Sequence, residues 1–145
     1  MLQAVHSIFQ HAGATHLIAN LVMAAIFAPR AVRAIGGWCT VALFLLAGMV
    51  ANSLASALSD RPVIGASGAV AGVMAAHLVL FPRSRLAPLI GLWIALQVVF
   101  ASGGLTFAGV AWMAHVAGAV IGAVIALWAR MARRPRGRYG ERALK

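Results

Sequence analysis

Most of this chain consists of long apolar runs that are separated by short polar breaks. Five such runs can be marked, at about 16–28, 38–58, 63–81, 86–101 and 107–129. The first ends at Pro29 and Arg30, and it is short for a membrane span unless the preceding residues join it. A helix that crosses a bilayer takes roughly 20 mainly apolar residues and satisfies its own backbone hydrogen bonds. The pattern therefore predicts an all-α polytopic membrane helix bundle, with five transmembrane helices visible in one domain over residues 1–129.

The composition supports this prediction and excludes several classes of chemistry. Hydrophobic residues make up 63% of the chain and charged residues 10%, against about 45–50% and about 25% in soluble domains. Asp60 and Glu141 are the only carboxylates, so chemistry that needs paired carboxylates has few groups to use. The single cysteine, Cys39, excludes an internal disulfide and a Cys-x-x-Cys site. A water-soluble monomer is not expected.

The charged residues are biased in sign and in position. There are 12 Lys and Arg residues against 2 Asp and Glu residues, a formal net charge of +10. This balance is typical either of nucleic-acid binding or of a membrane protein with basic loops. If the five runs alternate in direction, Arg61 is the only cation on one side of the membrane. The other side then holds Arg30, Arg33, Arg83, Arg85, Arg130, Arg133, Arg134, Arg136, Arg138, Arg142 and Lys145.

This asymmetry matches the rule that cytoplasmic loops carry the excess of Lys and Arg. It predicts a cytoplasmic C-terminus, with residues 130–145 forming a basic cytoplasmic tail near anionic lipid. Nucleic-acid binding would need a folded basic face with aromatic or polar side chains that read bases, and none is present, so no nucleic-acid partner is expected. We expect an integral, multi-pass protein of the bacterial cytoplasmic (inner) membrane.

Several polar residues fall inside the apolar runs, where they are costly and mark functional sites. His16 and Asn20 are four residues apart and share one helix face, whereas His11 lies at or before the start of that helix. The histidines form no His-x-x-x-His pair and have no carboxylates to orient them, so neither a metal nor a cofactor is expected. The full set is His11, His16, Asn20, Asn52, Ser53, Ser56, Ser67, His77, Gln97 and His115.

Ser67 and His115 each allow two interpretations. Ser67 lies where the third run begins, so it is either an N-cap or packing residue, or a nucleophile beside free N–H groups that stabilise an oxyanion. His115 is either a buried histidine with paired nitrogens or a general base for that hydroxyl. No carboxylate is available at membrane depth, so a catalytic pair here would be a Ser–His dyad instead of a triad.

Three motifs occur in a fixed order along the chain. They are His11-x4-His16-x3-Asn20, Gly65-Ala66-Ser67-Gly68, and Ala114-His115-x2-Gly118-x3-Gly122. In this order and spacing they resemble the signatures on helices two, four and six of the rhomboid intramembrane serine proteases. The resemblance covers nearly the whole chain.

The resemblance implies specific roles for the motif residues. Ser67 would be the nucleophile and His115 its general base, while His16 and Asn20 would donate hydrogen bonds to the oxyanion. The substrate would be a transmembrane protein, cleaved without metal or cofactor, and the run that contains Trp93 and Gln97 would lie beside its lateral entry. The motif residues that would support the site are His11, Gly65, Gly68, Gly118 and Gly122.

The rhomboid core has six helices, and five are visible here. The resemblance therefore implies that a first helix and the loop after it are missing, so that the domain is N-terminally incomplete. Two alternatives to a protease stay open. One is a catalytically inactive rhomboid-like protein that binds transmembrane segments, and the other is a haem- or metal-binding bundle that uses the histidines.

Overall fold

A computed structural model of the chain describes residues 2–59, 62–103 and 111–133. This part contains six α-helices and no strand, so the all-α prediction is confirmed for it. The helices are α1 (Leu2–Phe9), α2 (Ala14–Ile35), α3 (Gly37–Ala57), α4 (Ser67–Leu80), α5 (Ala87–Ser102) and α6 (Trp112–Ala132).

The five longer helices coincide with the five apolar runs. Three of them, α2, α3 and α6, have 22, 21 and 21 residues and are long and apolar enough to span a membrane. The other two, α4 and α5, are apolar but have only 14 and 16 residues. The described part of the chain thus contains three candidate membrane spans and two shorter apolar helices, the composition of a multi-pass membrane protein.

Helix α4 is the centre of the bundle, and it packs against α2, α3, α5 and α6. Ten consecutive residues of α4, from Gly68 to His77, are buried. Its 14 residues rise by about 21 Å at 1.5 Å per residue, which is less than the roughly 30 Å of a hydrocarbon core. α4 is therefore shorter than the three helices that are long enough to span a membrane.

Small residues let the backbones of α3, α4 and α6 approach closely. A Cβ on Gly118 would overlap the carbonyl oxygen of Gly68, and a Cβ on Gly122 would overlap that of Gly72. Both residue numbers rise together along this contact, so α4 and α6 run parallel. On the α3 side, a Cβ on Gly68 would lie 2.5 Å from Ala51 Cβ.

The end of α2 differs from the sequence prediction. The helix was expected to stop at Pro29 and Arg30, but it continues through Pro29 to Ile35. Proline removes only one backbone N–H, and membrane helices tolerate this loss where neighbouring helices support the backbone. Here Ala31 and Ile35 are buried in the core and hold the last turns, until Gly36 ends the helix with a φ of 88°.

Two further elements depart from the apolar pattern. The eight-residue helix α1 was not predicted, because it is too short to form one of the long apolar runs. The third apolar run begins at about residue 63, but α4 begins at Ser67, where the sequence analysis expected this helix to start. Gly65, two residues before it, has a φ of +115°. His11 precedes the start of α2 at Ala14, as predicted.

The arginines of the described segments gather at the end of the bundle where α2, α4 and α6 finish. Arg30 and Arg33 belong to the last turns of α2, and Arg83 and Arg85 to the turn between α4 and α5. Arg130 donates a hydrogen bond to Val79 O at 3.2 Å, which joins the ends of α6 and α4. Ser67 begins α4 and therefore lies at the opposite end. Arg61 and the tail residues 134–145 lie outside the described residues.

Candidate active site

Ser67 is the first residue of α4, and it is half-buried. The N-cap is Ala66, and no side chain caps this helix end. Ser67 therefore does not act as the N-cap, which was one of its two interpretations. The N–H groups of a first helical turn have no carbonyl partner within the helix, so they are available beside the Ser67 hydroxyl.

The turn that leads into Ser67 is held by hydrogen bonds from two other helices. Gly65 N donates to Ser7 O of α1 at 2.8 Å. The side chain of Asn52, on α3, donates from Nδ2 to Gly65 O and to Ser7 Oγ, both at 3.1 Å. Asn52 is 2% exposed, so these contacts are shielded from solvent. The backbone before the serine is thereby fixed from both sides.

The imidazole of His16 packs directly against this turn. A Cβ built on Gly65 would lie 2.6 Å from His16 Cε1 and 2.9 Å from His16 Nε2. Glycine is therefore needed at position 65 both for its positive φ and for the space that His16 occupies. The ring of His11 makes an edge contact with His16, with centroids 5.1 Å apart. His11 Nδ1 in turn donates to Phe9 O at 3.1 Å.

His115 lies in the first turn of α6, and its ring is held by α5. Nδ1 lies 2.7 Å from Gln97 Oε1. Gln97 Nε2 donates to Trp93 O at 3.2 Å, which orients the amide so that Oε1 faces the imidazole. Because an amide oxygen only accepts, Nδ1 carries the proton and Nε2 keeps a free lone pair. This is the tautomer that a general base requires.

Two tryptophans enclose the same imidazole. The ring centroids of Trp93 and His115 are 5.5 Å apart with an interplanar angle of 36°, and those of Trp112 and His115 are 6.2 Å apart at 82°. These contacts and the amide of Gln97 restrict the rotation of the ring. They also surround a developing imidazolium with aromatic faces, which attract cations.

The contact between α4 and α6 brings the neighbours of Ser67 and His115 together. A Cβ on Gly68 would lie 3.2 Å from the carbonyl oxygen of Ala114. Among the described residues, no hydrogen bond joins Ser67 Oγ to the His115 imidazole. Catalytic hydrogen bonds are often long before substrate binds.

The sequence matches the family profile described as "Rhomboid domain" over residues 1–132. The chain belongs to the rhomboid family. It is 38% identical over 73 residues to human Rhomboid-related protein 3, a match that covers 49% of this chain and 18% of the human protein. The chain thus covers less than a fifth of that relative. No solved structure matches it with significance.

Asn20, which was expected to donate to an oxyanion, forms a hydrogen bond within its own helix. It is 7% exposed, and its Nδ2 donates to His16 O at 2.8 Å within the same helix. One amide hydrogen is therefore engaged with the backbone of α2 and the other stays available. Gly68, Gly118 and Gly122, which the motifs singled out, line the contact between α4 and α6.

Three residues of the rhomboid site have contacts that the sequence analysis did not predict. Asn52 was noted only as a polar residue at membrane depth, Gln97 was noted also as part of the run beside the lateral entry, and Ser7 was not noted at all. Asn52 proves to support the turn before the serine, and Gln97 proves to hold the imidazole. Their burial inside apolar helices was the available indication, since a buried amide requires hydrogen-bond partners.

A polar pocket of about 520 Å³ opens beside the Gly65 turn. It lies between α1, the end of α3 and the chain that leads into α4. The side chains around it include four serines and three amides, so it is wide and polar enough to hold several water molecules. These side chains belong to Ser7, Ser53, Ser56, Ser59, Gln3, Gln10 and Asn52.

Proposed function

We propose that this rhomboid chain is an intramembrane serine endopeptidase that cleaves transmembrane-segment substrates through a dyad of Ser67 and His115. The observation that carries the proposal is the hydrogen bond between His115 Nδ1 and Gln97 Oε1. It sets the imidazole in the tautomer of a general base, in the first turn of a helix that packs on the first turn of α4.

In the first half of the reaction, His115 Nε2 takes the proton from Ser67 Oγ while that oxygen attacks a peptide carbonyl. The tetrahedral oxyanion accepts hydrogen bonds from the Ser67 N–H and from His16 and Asn20. The peptide C–N bond then breaks, and the imidazolium returns its proton to the leaving amine. The product is an acyl-enzyme on Ser67 Oγ.

In the second half, a water molecule attacks the ester carbonyl while His115 Nε2 takes its proton. The C–O bond to Ser67 breaks, the serine regains a proton from the imidazolium, and a carboxylic acid is released. The polar pocket beside the Gly65 turn is a reservoir for this water, because its serines and amides offer hydrogen bonds at the catalytic end of an apolar bundle.

The dyad works without a carboxylate. The described segments contain no Asp or Glu, so the transient imidazolium has no anionic neighbour among them. Gln97 accepts the Nδ1 proton as a neutral amide, and Trp93 and Trp112 offer aromatic faces to the positive ring. This environment orients the base and leaves its charge only weakly stabilised between the two proton transfers.

The proposed orientation of the protein in the membrane follows from the arginines that gather at one end of the bundle. All five longer helices cross the bilayer, with the arginine end and the tail 130–145 on the cytoplasmic side of a bacterial inner membrane. The catalytic end then faces outward. Residues 1–129 form the transmembrane domain, and a substrate helix enters laterally beside α5.

Serine reactivity and cleavage test this function on the full chain in detergent or liposomes. A fluorophosphonate probe is expected to label the wild-type protein, and Ser67→Ala is expected to lose both labelling and cleavage of a tagged transmembrane-segment substrate. Ser102→Ala is the matched control, because this exposed serine belongs to the last turn of α5 at the same end of the bundle. Cleavage by the Ser67→Ala protein at the wild-type rate would overturn the proposal.

The second candidate is an inactive rhomboid-like protein that binds transmembrane segments. One observation favours it, namely that no hydrogen bond joins Ser67 Oγ to His115 among the described residues. The two functions separate in the same experiment. An inactive binder retains a transmembrane segment on co-purification, is not labelled by the probe, and binds equally well after Ser67→Ala.

A further inference from the structure

A second pocket lies at the arginine end, across the length of the bundle from Ser67. Its volume is about 260 Å³, and it lies between the last turns of α2 and the end of α4 with the turn that follows. The proposed protease mechanism uses none of its residues. They are Arg30, Arg33, Ala34, His77, Phe81 and Ser84.

The two arginines of this pocket have no anionic partner among the described residues. Arg30 and Arg33 are three residues apart on α2 and therefore project from nearby positions on one face. Across residues 2–59, 62–103 and 111–133, neither guanidinium forms a hydrogen bond or an ion pair, and no Asp or Glu occurs. Two positive charges thus border one cavity, and the described segments supply no group that neutralises them.

His77, which also lines this cavity, has a buried ring nitrogen without a partner among the described residues. Its side chain is 0% exposed and packs against the rings of Phe27 and Phe81, at centroid distances of 5.3 and 5.1 Å. Nε2 lies 3.1 Å from Ser84 Oγ, whereas Nδ1 is buried and has no partner in the described part of the chain. When the Ser84 hydroxyl donates to Nε2, the ring carries its proton on Nδ1 and lacks an acceptor there. An unpaired buried donor is rare, and a bound anion explains it.

We infer that this pocket binds a phosphate group. Two guanidinium groups match the oxygens of a phosphate, and an imidazole N–H supplies a further donor. The phosphate belongs either to an anionic phospholipid headgroup or to a free phosphate ion. The surroundings favour the lipid, because Trp38 at the start of α3 is 89% exposed and Leu89 near the start of α5 is 64% exposed at the same end of the bundle. Exposed aromatic and apolar side chains beside basic groups are typical of the headgroup level of a membrane.

Lipid binding to the purified full chain tests this site directly. The protein is titrated in a neutral detergent with phosphatidylglycerol and, separately, with phosphatidylcholine, and bound lipid is counted by native mass spectrometry. The Arg30→Gln/Arg33→Gln double variant is compared with Arg83→Gln/Arg85→Gln, which removes the same charge from the same end but from outside the pocket. All four arginines are exposed, so both variants are expected to fold.

The wild-type protein is expected to retain phosphatidylglycerol in preference to phosphatidylcholine. The pocket variant should lose about tenfold in phosphatidylglycerol affinity, while the control variant stays close to wild type. Ser84→Ala, which removes the hydroxyl that orients His77, should weaken the same binding without altering net charge. Equal losses in the two double variants would overturn the proposal, because the binding would then follow net charge alone.

Competition with inorganic phosphate distinguishes a phospholipid headgroup from a free phosphate ion as the natural occupant of the pocket. Displacement of the lipid by millimolar phosphate, or binding of phosphate alone that is lost in Arg30→Gln/Arg33→Gln, supports a phosphate site that also takes the free ion. Retention of the lipid in the presence of phosphate assigns the site to the headgroup. Failure of both the lipid and the free ion to bind the wild-type protein would contradict the inference.

Discussion

The amide oxygen of Gln97 lies 2.7 Å from Nδ1 of His115, and this contact joins the end of α5 to the start of α6. An aspartate in this position would bring a negative charge to membrane depth, whereas glutamine offers the same acceptor geometry without the cost of a buried charge. In the proposed mechanism Gln97 is a positioning residue, since it would act on the reaction only through the imidazole.

Replacing Gln97 with leucine is expected to lower kcat by about tenfold, the equivalent of one lost orienting hydrogen bond. KM should stay near its wild-type value because the side chain touches the imidazole and not the substrate. Gln97→Glu restores an acceptor and should recover part of kcat. Steady-state cleavage kinetics check this, with lipid-facing Val98→Ala as the control on the same helix. A change confined to KM would show that Gln97 acts on substrate entry instead.

Gly118 has no room for a side chain, because a Cβ there would overlap the carbonyl oxygen of Gly68. We expect Gly118→Ala to push α6 away from α4 and to destabilise the fold by about 3 kcal/mol, the upper part of the range for overpacked cores. Gly91→Ala is the matched control on α5, since nothing lies within 4 Å of its added Cβ. Thermal unfolding in detergent should give a lower Tm for the first variant and an unchanged or higher Tm for the second. Equal Tm values would contradict the close helix contact.

Gly65 has a φ of +115°, and the imidazole of His16 occupies the space where a side chain at position 65 would lie. Gly65→Ala should cost about 1–3 kcal/mol in backbone strain, and it should also displace His16 or the turn before Ser67. We therefore expect probe labelling of Ser67 to fall in the fraction of protein that remains folded. Gly13→Ala serves for comparison, because Gly13 has extended backbone and open space around its Cα. Wild-type labelling in Gly65→Ala would show that the turn tolerates a side chain.

Asn52 holds the Gly65 carbonyl and the Ser7 hydroxyl with one amide nitrogen. Truncation to alanine leaves these two acceptors without that donor, and it should destabilise the protein by about 1–3 kcal/mol. The loosened turn should also slow acylation of Ser67. Chemical unfolding and the rate of probe labelling measure the two effects separately, with the exposed Val50→Ala on the same helix as the reference variant. Labelling at the wild-type rate would indicate that α1 and the turn hold their positions without Asn52.

The apolar runs and the charges predicted the membrane bundle, because lipid imposes simple rules on which residues a spanning helix contains. Ser67 at a helix start and the paired glycines of α4 and α6 also followed from local pattern and spacing. The extension of α2 past Pro29 did not, since the packing of Ala31 and Ile35 outweighs the local effect of proline. Helix α1 was missed because its eight residues are too few to form one of the long apolar runs.

The hydrogen bonds around the candidate site depend on long-range pairing. Asn52 and Gly65 are 13 residues apart, and Gln97 and His115 are 18 residues apart. The sequence shows that each amide is buried in an apolar helix and needs partners, but it does not show which neighbouring helix supplies them. Pairing of that kind is decided by the three-dimensional packing of the bundle.

The burial of the short central helix α4 also affects how the depth of Ser67 responds to the thickness of the bilayer. From Gly68 to His77 every residue of α4 is covered by protein, so lipid tails press on the outer helices and leave α4 untouched. The depth of Ser67 is then set by its protein neighbours, while a substrate helix slides or tilts with the lipid around it. If Ser67 is the nucleophile that we propose, it would meet different peptide bonds in thicker and thinner membranes. The cleavage position would then change with the bilayer, while the geometry around the serine stayed constant.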